Sequence, residues 1–114
     1  MEDEFIIMNI NEYQNYVRDG ASKKYQNLQF AGLALVGEVG EVCDVIKKAG
    51  IYTDNLQYTD YKAKLLDELG DVLWQWMAIV NCLQIDVDKV IDHNVTKLNQ
   101  RHGGVAIDKT GGNR

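Results

Sequence analysis

The stretch Gly37–Lys48, GEVGEVCDVIKK, decides the reading of this chain, and Leu65–Trp76, LLDELGDVLWQW, repeats its logic. Each plants two carboxylates three residues apart in an otherwise apolar run: Glu38 and Glu41 in the first, Glu68 and Asp71 in the second. Residues three apart on a helix share a face, one turn above each other. Asp44 extends the first row by a further three positions. These carboxylates occupy places that packing alone would give to Leu or Ala. Burying unpaired negative charge is costly, so something positive must meet them. Oxygen ligands at this density suit a hard divalent cation, Mg²⁺ or Mn²⁺.

Working outward, the pattern around both stretches is helical. Leu28, Ala31, Leu35, Val39, Val42, Val45 and Ile46 recur at helical spacing and predict a helix over about Leu28–Ala49, closed by Gly50 as a left-handed cap after Lys47 and Lys48. Leu65, Leu66, Leu69, Val72, Leu73, Trp76, Met77, Ile79 and Val80 predict another over about Asp60–Leu83, apolar on more than one side and so buried by bundle partners or a second subunit. Asn9 and Glu12 form a capping-box signature opening an earlier helix that ends near Gly20. A last helix starts at Asp86 or Asp88, carries Val87, Val90, Ile91, Val95 and Leu98, and ends at His102 and Gly103. Residues 21–27 read as a connection or weak helical turn, and residues 51–59 as a connecting loop long enough to be a functional flap. With proline absent and no β-branched alternation bounded by turns, the fold class is all-α, a four-helix-bundle-like arrangement.

At 114 residues the chain is one domain, 1–114, with residues 1–8 as an N-terminal arm and 103–114 as a mobile tail or a segment ordered on a partner. The hydrophobic share of 46% and charged share of 25% are ordinary for a soluble protein, and the net charge of −5 argues against nucleic acid as a main partner. The acidic start MEDEF has no signal-peptide character, and no apolar run is long enough to span a membrane, so the expected compartment is the cytoplasm. Cys43 and Cys82 lack metal-ligand spacing and read as small buried hydrophobes; His93 and His102 read as surface or cap residues.

Three further features bear on chemistry. Gly37 and Gly40 flank the first carboxylates and Gly70 lies inside the second pair, each at a cost of about 1 kcal/mol against alanine, which points either to close approach by a ligand or to tight helix packing. Lys64 lies one turn before Glu68. Asn94, Lys97 and Arg101 share a stripe on the last helix, suited to gripping phosphate oxygens, the arginine through two bonds and the lysine as a point charge. Trp74 and Trp76 point in different directions, one to core and the other to a base or a subunit interface; Tyr13, Tyr16, Tyr25 and Tyr61 are mainly packing residues.

The series EVGE, ELGD and NVTKLNQR resembles the MazG-like nucleotide pyrophosphohydrolases of the all-α NTP pyrophosphatase superfamily, over about Ile10–Arg101. The resemblance implies a MazG-type fold assembled as a homodimer or homotetramer. It implies Glu38, Glu41, Glu68 and Asp71 as Mg²⁺ ligands and catalytic groups, with Glu41 or Glu38 deprotonating the attacking water. Lys64, Lys97 and Arg101 would hold substrate phosphates, with Asn94 near the sugar or phosphate. The implied reaction converts a nucleoside triphosphate to monophosphate and pyrophosphate. Two other readings stand beside it: a related dUTPase-like or phosphoribosyl-ATP pyrophosphohydrolase-like enzyme, and a non-catalytic helical module that binds a regulatory ion or a basic partner. His102-Gly103-Gly104 stands where the family commonly has an apolar-proline ending.

Overall fold

The computed structural model describes residues 6–51 and 58–102, which form helices joined by short connections, with no strand among them. Helix α1 spans Ile10–Gly20, a 3₁₀ turn spans Lys23–Gln26, and helices α2, α3 and α4 span Leu28–Ile51, Tyr58–Cys82 and Val87–His102. Residues 1–5, most of the expected flap and the tail from residue 103 lie outside the described residues.

Local chemistry sets the ends of these helices. The capping box at α1 forms as read: Glu12 N donates to Asn9 Oδ1 at 2.8 Å, and Asn9 N donates to Glu12 Oε1 at 2.9 Å. The Asn27 side chain likewise accepts from Phe30 N at 2.9 Å at the start of α2. Gly50 does not cap: α2 continues through it to Ile51, and α3 begins at Tyr58, so both helices extend into the expected loop. Between α3 and α4 the chain turns at Gln84, held in the left-handed region at φ 57°.

Long α2 and α3 pack against each other, and the 3₁₀ turn lies against both. Their register is antiparallel: Glu38 pairs with Asp71 while Glu41 faces Glu68, numbers rising on one helix as they fall on the other. The main core gathers Val17, Met77, Ala78, Val80 and Val87, flanked by Ile10, Tyr13, Trp74, Trp76, Ile85 and Val90. It joins α1, the C-terminal half of α3 and the start of α4.

Buried Gln14 ties those three elements together. Its Nε2 donates to Asn81 Oδ1 at 3.0 Å and to the Ile85 carbonyl at 2.8 Å, while its Oε1 accepts from Val87 N at 2.9 Å. The Asn11 side chain donates to Asp88 Oδ2 at 3.0 Å, adding a second link from α1 to α4.

The many-sided burial expected of the third helix is reached only in its C-terminal half. Leu66, Leu69 and Leu73 are exposed, as are Leu28, Leu33, Val36, Val39 and Ile46 on α2 and Ile91 and Val95 on α4. The physical reason is the placement of α4: it rests on α1, not across the outer faces of α2 and α3. Cys43 shares this outcome and is exposed, contrary to the buried role read for it, whereas Cys82 is half-buried.

Candidate active site

Helices α2 and α3 bring the two acidic rows together. One carboxylate oxygen from each of Glu38, Glu68 and Asp71 lies within 4.8 Å of the other two. Glu38 and Glu68 are half-buried and Asp71 is exposed. Glu41 stands outside this trio, exposed, yet close enough for its charge to act on both glutamates.

Such crowding shows in the protonation of the site. Burial first, then the negative charges of Asp71, Glu68 and Glu41 and a hydrogen bond with Asp71, push the Glu38 carboxyl above its ordinary value. Burial, then Glu41, Asp71 and Asp67, push Glu68 the same way. Burial, Tyr16 and Asp71 raise the Tyr13 hydroxyl, which places the acidic field within reach of α1. Like charges gathered without a counter-charge disfavour ionisation. Asp44 behaves oppositely: its hydrogen bond from Lys48, at 2.9 Å, lowers its carboxyl, so the fifth acid of the row is tied to a lysine one turn away instead of joining the trio.

Among the described residues no ion pair neutralises Glu38, Glu68 or Asp71. Lys64, Asn94 and Arg101 are exposed and Lys97 is half-buried, and no hydrogen bond joins any of them to the trio. Three hard oxygen donors at this spacing, with no lysine or arginine on them, fit a divalent metal ion.

Beside the trio lies an open cavity of about 430 Å³ lined by Gly20, Ser22, Tyr25, Glu38, Asp71, Trp74 and Gln75. The 3₁₀ turn presents Tyr25, whose ring meets Trp74 edge-on at 5.1 Å between centroids and Phe30 at 5.2 Å. Trp74 therefore serves both core and cavity, whereas Trp76 packs on the core. Adding a Cβ at Gly37, Gly40 or Gly70 would meet nothing within 4 Å among the described residues, so those glycines do not serve helix packing there.

Sequence reasoning overlooked Gln75. It is 7% exposed, and its Oε1 is buried without a hydrogen-bond partner among the described residues. Such an orphan costs about 1–3 kcal/mol. The available signal was a single polar residue within Val72–Val80, four positions after Asp71 and hence on its face.

A family model for the MazG nucleotide pyrophosphohydrolase domain matches residues 26–106. That span contains both acidic rows, the aromatic Trp74 and the basic stripe on α4. The chain is also similar to the Gene 37 protein of Mycobacterium phage L5, with 30% identity over 99 residues and 87% of each chain covered. No solved structure matches it. The paired acids, their antiparallel helices and the extent of the match lead to one assignment: the chain belongs to the MazG nucleotide pyrophosphohydrolase family.

Proposed function

We propose that this protein is an Mg²⁺-dependent nucleoside triphosphate pyrophosphohydrolase, acting in the cytoplasm as a homodimer or homotetramer and releasing monophosphate and pyrophosphate. The observation that carries the reading is the convergence of Glu38, Glu68 and Asp71 oxygens within 4.8 Å in a chain of this family. These three residues would hold the metal, with Glu41 completing the set from the neighbouring turn. Mn²⁺ would serve in place of Mg²⁺. An ion held there would supply positive charge against the triphosphate and Lewis acidity for activating water.

The chain's own residues supply the rest. Exposed Glu41 would take the proton of the attacking water, with Glu38, raised in proton affinity by burial and the neighbouring acids, as the alternative base. Attack falls on the α-phosphorus, and the bond to the bridging oxygen of the β-phosphate breaks. Lys64, Lys97 and Arg101 steady the phosphates, and Asn94 binds the sugar or phosphate. The exposed apolar faces of α2 and α3 support assembly with a second copy.

The test is pyrophosphate release from a mixed nucleotide pool, with and without Mg²⁺. Release that depends on the metal supports the reading, whereas a non-catalytic ion-binding module releases none. Glu41→Gln is expected to lower kcat by about 10²–10⁴-fold with an unchanged far-ultraviolet circular dichroism spectrum. Full activity in that variant removes Glu41 from the mechanism.

A further inference from the structure

Gln75 offers an acceptor that the protein itself does not use. Its Oε1 is the one buried side-chain nitrogen or oxygen atom, among the described residues, without a hydrogen-bond partner. The other buried glutamine, Gln14, has both ends of its amide engaged. Native interiors satisfy nearly all such groups, so a partner for Gln75 is to be sought outside the chain. The side chain lines the same cavity as Glu38 and Asp71, with Tyr25 and Trp74 as aromatic walls.

Position along α3 narrows what that partner is. Gln75 lies one helical turn beyond Asp71, on the same face, about 6 Å along the axis. If Asp71 helps hold the metal on the reacting phosphates, as proposed above, the next group of a nucleotide is the pentose, joined directly to the α-phosphate. The base lies one link further. An orphan acceptor needs a donor, and the pentose carries hydroxyl donors.

We propose that Gln75 accepts a hydrogen bond from the ribose 2′-hydroxyl, so that the cavity beside the acidic trio is a pentose subsite favouring ribonucleotides over 2′-deoxyribonucleotides. This rests on the nucleotide reading of the site. Tyr25 and Trp74 take the apolar side of the sugar, and the amide takes its hydroxyl edge. A site built to bond a hydroxyl discriminates against the analogue lacking it, because its buried acceptor is then left unpaired.

The experiment compares ribo- and 2′-deoxyribonucleoside triphosphates of the same base, by kcat/KM with Mg²⁺ and by calorimetric Kd. The wild type is expected to favour the ribonucleotide by about tenfold to a hundredfold. Gln75→Met removes the acceptor at similar volume and should collapse that ratio, with no loss of Tm because an unsatisfied group has gone. Gln75→Glu keeps an acceptor and should keep the ratio, even if the added charge beside the acids weakens both nucleotides.

Equal treatment of the two sugars by the wild type overturns the proposal and leaves a bound water as the partner of Gln75. An undiminished ratio in Gln75→Met overturns it as well. A base preference that collapses in Gln75→Met while the sugar ratio stays overturns it in favour of base recognition. Pyrophosphate release with no sugar preference sinks only this inference. A protein that releases none from any nucleotide sinks the pyrophosphohydrolase reading, and the calorimetric ratio then decides the sugar question alone.

Discussion

At the scale of single residues, Glu38 and Glu68 are held against their preference. Both carboxyls are pushed above their ordinary values by burial and by neighbouring acids. For a carboxylate whose folded pKa is raised, the native state binds the proton more tightly than the unfolded chain. That group costs stability above its folded pKa, and the cost fades as pH falls through it. Without metal, Glu38→Gln is therefore expected to raise Tm at neutral pH. The advantage over wild type should vanish once pH drops to the ordinary carboxylate range, about 4–5. Adding Mg²⁺ at neutral pH should reverse the order, since ligand at 100 times its Kd stabilises the wild type by about 2.7 kcal/mol. Differential scanning fluorimetry across pH, with and without metal, checks both signs.

Residue-scale chemistry was partly legible in the sequence. The two acidic rows could be read because helical spacing is local, and Glu38, Glu68 and Asp71 do converge. Glu41 lies just outside that trio, and Asp44 is drawn to Lys48, a choice between partners that spacing alone leaves open. Gln14 and Gln75 were missed for one reason: the burial of a polar side chain is set by distant chain. The bond from Val87 N to Gln14 crosses 73 positions of sequence.

At the scale of elements, helix starts and stops followed local rules. The Asn9–Glu12 box and the Gly20 end fall where the residues put them. Gly50 broke the rule because its conformational freedom permits a left-handed cap without demanding one. What holds the elements together is less visible. Gln14 satisfies groups on α3, on the following turn and on α4 at once. Gln14→Leu leaves Val87 N and the Ile85 carbonyl short of a partner, so unfolding in urea should show a loss of about 1–3 kcal/mol. A loss below that range would mean water enters to replace the amide.

At the scale of the whole molecule, the described helices leave many large apolar side chains exposed. Leu33 is 74% exposed, Val36 69% and Leu66 66%. Exposed apolar side chains on two packed helices are what a partner surface would offer. Replacing Val36 or Leu66 by Lys is expected to shift the mass measured by light scattering toward the monomer, with little change in helix content. An unchanged mass would remove these residues from any such interface. The all-α class and the helix count were readable from periodicity, but which faces stay open depended on where α4 lodges. That is set by Gln14 and by the packing of Val87 and Val90, not by any repeat in the pattern.

The division between core and carboxylates along α3 has a dynamic corollary. Met77, Ala78 and Val80 are buried, whereas Leu66 and Leu69, beside Glu68, are open to solvent. Local opening follows burial, so amide hydrogens of residues 77–80 should exchange with deuterium more slowly than those of residues 65–70. The anionic end of the hairpin is then the first to breathe, and occupancy by metal and nucleotide should lengthen its exchange times most.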